Sequence, residues 1–296
     1  MLADSEFENR ISSIDKEQRE ENIPIYTRPF NAIHRYAVNY KIPVILGGFQ
    51  LFRSNDKYDS LNLANTISEW YDKKYGDRIK KDFSKGYVAL FIAGSVYKMK
   101  IPLIFGKYMI CADGKYKLNQ NPIQDGTMLL NVIAFIEDLT KELSSELSSD
   151  EESNILQVFG YASELFELLS KDVNKDNLCE PAKEDFNYAV NSLLNNHLNI
   201  GHSKWASLQA TEKILKSILQ RNKVAFNKNH KLRDLIDSLQ KIGFPDVSDD
   251  LINTIQCKAS VRYGDVPFNI EDAIKAHHYS IYLCKEYLKY NVCHVI

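Results

Sequence analysis

Three side chains in the last third of the chain have the types needed for acid–base chemistry on a phosphodiester: Arg262, His230 and His277. A histidine can take or give a proton near neutral pH, and an arginine fork can hold two phosphate oxygens while balancing charge that develops on them. Their spacing is not local. Arg221-Asn222 meets no histidine until His230, and Arg262-Tyr263 meets none until His277, so joint action requires the fold to assemble them. His277 also has a plainer reading. It shares an apolar helical face with Ala273, Ser280, Ile281 and Cys284, where a core histidine finds one hydrogen-bond partner and rests. Its neighbour His278 is expected to face solvent.

A second candidate is a field rather than a site. Between Lys213 and Arg233 stand seven basic residues, Lys213, Lys216, Arg221, Lys223, Lys228, Lys231 and Arg233, and no acidic one. A run of that sign can hold phosphates. It can equally be lysines late in a helix and in its loop, solvated and complementing the helix dipole. Phe226 is the one aromatic inside the run, a thin platform for stacking bases, and Tyr263 beside Arg262 either joins a cleft or caps carbonyls.

No metal or cofactor chemistry is expected. The cysteines, Cys111, Cys179, Cys257, Cys284 and Cys293, are scattered and contain no C-x-x-C pair, which reads as reduced thiols in a cytoplasmic protein. Gly47-Gly48 lacks the strand, helix and further glycines of a phosphate loop and reads as a turn. The N-terminal stretch is acidic and polar, unlike a secretory leader, and runs such as Tyr87 to Gly94 are too short to span a bilayer as helices.

The elements that must position these residues come from 296 residues, 44% hydrophobic and 26% charged, an ordinary globular composition with room for two domains. The net charge of −2 exerts no global pull on nucleic acid or membrane. The polar stretch from Asp172 to Glu180, ending at Pro181, is the expected boundary, giving an α+β domain over residues 1–178 and a helical bundle over 179–296.

In the first domain, Phe7, Ile11 and Ile14 make a short amphipathic helix, and two further helices are expected at Phe30 to Tyr40 and Leu61 to Tyr75, with Val44 to Leu46 as a strand between them. Tyr87 to Ala93, Val96 to Phe105 and Tyr108 to Cys111 read as three strands of a small antiparallel meander, with Pro102 marking an edge. From Thr127 the apolar period turns helical through Leu129, Val132, Ile133, Ile136 and Leu139, and resumes from Ile155 to Leu169.

In the second domain, Phe186, Ala189, Val190, Leu193 and Leu194 stripe one helix, and Leu208, Thr211, Ile214, Leu215, Ile218 and Leu219 stripe the next, an antiparallel pair with a short connection. A last helix is expected from Ile270 to Tyr290. The ordered set Phe186-x-x-Ala189, Ala206 to Lys216 (ASLQATEKILK), His230-Lys231-Leu232-Arg233-Asp234-Leu235 and Val261-Arg262-Tyr263-Gly264 resembles the HEPN family of all-α bundles over about residues 181–290.

That resemblance implies a homodimer through the bundle. It implies one of two roles: a non-catalytic module binding a nucleotide, RNA or a protein partner, or a metal-independent ribonuclease of a toxin–antitoxin or antiviral system. The catalytic branch of the family carries an arginine followed four to six residues later by histidine. This sequence departs from that spacing, so a ribonuclease here would use Arg262, His230 and His277 as a non-standard constellation.

Overall fold

The computed structural model describes residues 4–42, 58, 60, 62–80, 82–104, 106–115, 127–172, 177–194, 199–226, 230–263 and 268–294. The chain divides into two compact units, Met1–Asp82 and Phe83–Ile296. The architecture is α+β, largely helical with two small two-stranded sheets among the described residues. The strand expected at Val44 to Leu46 and the turn at Gly47-Gly48 lie outside the described residues.

Among the described residues the first unit packs three α-helices, α1 (Asp4–Glu20), α2 (Arg28–Tyr40) and α3 (Leu63–Tyr75). The sparse apolar positions of α1 are enough to dock it, because Phe7, Ile11 and Ile14 bury against Tyr36, Ile67 and Tyr71. Asp15 is also fully buried, and its charge is met by the Tyr75 hydroxyl at 2.6 Å and Lys74 Nζ at 2.9 Å. An enclosed carboxylate persists only with such partners.

The second unit opens with a hairpin of β1 (Gly86–Ile92) and β2 (Ser95–Ile101), closed by Ala93-Gly94 with φ of 48° and 78°. Two successive positive φ values are the signature of a tight hairpin turn. The unbroken apolar run of β1 is buried on both faces. Val88, Leu90 and Ile92 enter the main core, while Ala89 packs with Val190, Leu193, Ala273 and Ile274. On β2, Lys98 and Lys100 alternate outward and both pair with Glu137, at 2.7 and 2.9 Å.

The expected meander does not continue. β3 (Tyr108–Cys111) pairs in parallel with β4 (Met128–Asn131) instead of adding to β2. Residues 128–131, expected as the start of a helix, are therefore extended. Asn131 decides this locally: its Nδ2 donates to the Asp113 carbonyl at 2.6 Å, and its Oδ1 accepts from the Asp113 amide at 3.1 Å and caps Ile133. That cross-link to the end of β3 outweighs a weak helical period, and Val132–Phe135 makes only a 3₁₀ turn. The short helix α4 (Lys141–Ser145) follows.

Helices α5 (Ser149–Asp172), α6 (Cys179–Leu194), α7 (Ile200–Arg221), α8 (Leu232–Gln240), α9 (Asp249–Ile255) and α10 (Ile270–His294) complete the unit. The boundary expected at 178/179 falls inside it, within one continuous core. Phe166 of α5 meets Phe186 of α6 edge-on at 6.2 Å, and β1, β2 and α5 share that core with α6, α7 and α10. The polar linker reads as a boundary in sequence because nothing local reports what packs across it.

α7 is the axis of the unit. Leu208, Ala210, Ile214, Leu215, Ile218 and Leu219 are fully enclosed, and so are Ser203, Ser207, Thr211 and Ser217. Small hydroxyl residues let neighbouring helices approach closely, and they need no distant partner when they return a hydrogen bond to the preceding turn. Thr211 Oγ1 donates to the Ser207 carbonyl at 2.9 Å in this way. Among the described residues no helix is long and apolar enough to cross a membrane.

Candidate functional site

The site is built on Trp205, one turn into α7. The Arg262 guanidinium carbon lies 4.8 Å from the centre of the Trp205 ring, and the His230 imidazole meets the same ring edge-on at 5.5 Å. Two residues separated by 32 positions are thus brought to one aromatic platform. Tyr263 stands beside them with 76% of its surface exposed, its ring 5.5 Å from the Arg262 guanidinium carbon.

Each member is positioned by a specific contact. Arg262 belongs to the 3₁₀ segment Ala259–Tyr263, and its Nε donates to the Ala259 carbonyl at 3.1 Å. That segment approaches α7 closely enough that a Cβ on Gly201 would sit 1.9 Å from the Val261 carbonyl oxygen. Only glycine permits such an approach. One residue on, His202 Nε2 lies 3.0 Å from the Arg262 carbonyl, and since a carbonyl can only accept, Nε2 carries the proton. The remaining ring nitrogen, Nδ1, accepts from the Tyr188 hydroxyl at 3.0 Å.

His230 is held through both its side chain and its backbone. Nδ1 is 2.7 Å from Glu212 Oε2, and the backbone carbonyl accepts from Gln256 Nε2 at 3.0 Å. Glu212 is buried, its other oxygen is bound by Lys216, and Gln209 donates to Oε2 at 3.1 Å. A carboxylate fixed in this way orients the imidazole with Nε2 directed away from it. Lys204, on the neighbouring position of α7, is also buried. Its Nζ lies 4.2 Å from the centre of the Phe268 ring, and burial pulls its ammonium below the usual lysine range.

His277 is elsewhere. It is fully enclosed, packed edge-on against Phe186 at 5.9 Å, with Nδ1 3.3 Å from Ser207 Oγ and Nε2 buried without a hydrogen-bond partner among the described residues. Burial brings it down to about 3, so the ring is neutral. His278, expected at the surface, is half-buried against the hairpin, and its Nε2 donates to the Ala89 carbonyl at 2.7 Å. Helical phase alone put it outward, and the strand covering α10 was not visible in that phase.

The basic run is largely answered in space. Lys213 pairs with Asp185 at 2.6 Å, Lys216 with Glu212, and Arg233 with Asp249 and with Asp246 at 3.0 Å. Arg221 Nη2 donates to Cys179 Sγ at 3.2 Å. Lys223 and Lys231 are exposed, and Lys228 lies outside the described residues. Sequence reasoning missed Trp205, His202 and Glu212 as site members, although a lone tryptophan two turns before a glutamate and just after a Gly-His pair was a readable signal. Among the described residues no group of three or more His, Cys, Asp or Glu side chains is arranged to hold a metal ion.

Residues 176–289 match the family model of the HEPN domain. The match runs from just before α6 to within α10 and contains every residue of the Trp205 site, so this part of the chain is a HEPN domain. No curated protein and no solved structure matches the chain.

Proposed function

We propose that the protein is a HEPN-domain binding protein that holds a nucleotide or single-stranded RNA at the Trp205 platform and pairs with a second copy through its bundle. The stack of Arg262 on Trp205 carries this reading. Nε is used by Ala259, and among the described residues no carboxylate pairs with the guanidinium, so its two terminal nitrogens remain to grip a phosphate as a fork. The exposed Tyr263 ring is available to stack a base next to that phosphate. Defence or toxin–antitoxin work in the cytoplasm is the setting this reading fits.

The salt dependence of binding tests it. One arginine fork releases few counterions, so log affinity for a short single-stranded RNA should fall with log salt at a slope of about −1, whereas engagement of the whole basic run would give about −5. Arg262→Ala should weaken binding at least tenfold with unchanged far-UV circular dichroism. A steep slope, or binding indifferent to Arg262→Ala, would sink the proposal.

A second reading is favoured by one observation, the 2.7 Å contact of His230 with the buried Glu212. An imidazole held by a carboxylate beside an arginine is a general base and a charge stabiliser in one place. A metal-independent endoribonuclease of this kind would cleave labelled RNA in EDTA and lose that cleavage in His230→Ala. RNA left intact under all conditions would rule this second reading out.

A further inference from the structure

A cavity of about 520 Å³ opens in the second unit, away from the Trp205 platform. Its size falls among small-molecule sites. α10 supplies one side of it, while Phe91 of β1 and Tyr161 of α5 lie outside the part of the chain that matches the HEPN model, so the cavity belongs to what this chain adds to that domain.

Its walls are aromatic and held in place. The Tyr161 and Tyr282 rings meet at a tilt of 53° with their centres 5.1 Å apart, and the enclosed Lys285 puts its Nζ 4.6 Å from the centre of the Tyr161 ring and 5.3 Å from that of Tyr282. A cation over one face draws electron density through the ring, which favours an electron-rich aromatic partner on the other side. Phe91, Val158, Leu251 and Ile274 complete the apolar lining.

Polar groups also stand in this lining, among them the side-chain amides of Asn154 and Gln157 and the imidazole of His278. His278 lines the cavity with its Nε2–H already given to the Ala89 carbonyl at 2.7 Å. Burial keeps the ring neutral by holding it below the usual histidine range. Nδ1 is therefore a bare lone pair, and no described residue donates to it.

The rim carries two opposite charges that do not satisfy each other. Glu271 and Lys275 are exposed one turn apart on α10, a spacing that closes ion pairs at Glu212–Lys216 and Glu6–Arg10 in this same chain. Here no pair forms, and Lys275 Nζ lies 5.3 Å from the centre of the Tyr279 ring instead. Both charges remain at the mouth of an aromatic cavity.

We infer that this cavity is a second ligand site, built for a small aromatic zwitterion whose ring bears an N–H or O–H donor. The ring sits among Phe91, Tyr161 and Tyr282, its donor meets His278 Nδ1, its ammonium meets Glu271, and its carboxylate meets Lys275. An aromatic α-amino acid with an indole or phenol ring has every one of these groups.

Calorimetric titration of the full chain with L-tryptophan and L-tyrosine tests the inference against L-phenylalanine, which lacks the ring donor, tryptamine, which lacks the carboxylate, and 3-indolepropionate, which lacks the ammonium. At least one of the first two should bind saturably, with each truncated analogue about 5- to 20-fold weaker, since each leaves one polar group unmet. Lys275→Ala and Glu271→Gln, both exposed changes that leave the fold intact, should each weaken binding about 5-fold, and His278→Phe should abolish it. Arg262→Ala should leave it unchanged, which separates this site from the phosphate platform. Absence of saturable binding at millimolar ligand, analogues that bind as tightly as the parent amino acid, or binding that ignores the rim and His278 variants would overturn the inference.

Discussion

His230 Nδ1 lies 2.7 Å from Oε2 of Glu212, a carboxylate whose side chain is only 5% exposed while the imidazole itself is 55% exposed. One partner is structure and the other is surface. The pair ties the segment leading into α8 back onto α7, and Lys216 and Gln209 complete the shell of the carboxylate.

The two ends of this pair should therefore separate stability from function. Glu212→Gln leaves Lys216 without its counter-charge in a mostly buried place and takes the carboxylate from His230 Nδ1, and should cost about 2–3 kcal/mol in urea unfolding. His230→Ala removes an exposed ring and should cost less than about 1 kcal/mol. Ligand binding, or any RNA cleavage, should suffer in both. Equal destabilisation by the two variants would contradict this division.

Gly201 should tolerate no side chain. A Cβ placed 1.9 Å from the Val261 carbonyl oxygen must push the Ala259–Tyr263 segment off α7, carrying Arg262 away from Trp205 and breaking the His202 contact. Gly201→Ala should lower stability by at least about 2 kcal/mol and weaken nucleotide or RNA binding as strongly as Arg262→Ala does. Wild-type binding in Gly201→Ala would mean that the close approach does not position the site.

Acid should destabilise the fold through His277. Burial brings its ring to about 3, against roughly 6.5 in the unfolded chain. The folded pKa is the lower one, so the contribution is complete above pH 6.5 and declines as the unfolded chain takes up a proton that the fold cannot. The loss is about 1.4 kcal/mol per pH unit, or about 2 kcal/mol by pH 5. His278, also held down by burial, acts in the same direction. Denaturant midpoints between pH 5 and 7 should show this slope, and His277→Gln should flatten it. An unchanged slope in that variant would assign the acid sensitivity to other groups.

Fragments should reflect the core rather than the linker. Residues 83–296 form one compact unit and should unfold cooperatively when expressed alone. Residues 179–296 alone would expose the faces of α6 and α10 that bury Val88, Ala89, Leu90, Phe159 and Phe166. That piece should bind a hydrophobic dye and lack a sharp thermal transition. A cooperative 179–296 would show that the bundle is self-sufficient.

The sequence by itself determined the helices of the HEPN domain and their inward faces. Leu208, Ile214, Leu215 and Ile218 on α7, and Phe186, Ala189 and Leu193 on α6, recur at the helical period and are buried where that period puts them. It also carried the landmarks by which the family is recognised, since Arg262 and His230 stand among them. Tertiary structure decided the rest. A run with no acidic residue between Lys213 and Arg233 is met by Asp185, Glu212, Asp246 and Asp249, because ion pairing depends on distance in space, where the helices fold carboxylates onto that surface. β4 is a strand because Asn131 bonds to Asp113 across the sheet, and His278 is covered because β1 lies over α10. Trp205 became the centre of the site for the same reason. Its ring gathers an arginine and a histidine from two distant segments, and no spacing along the chain encodes that meeting.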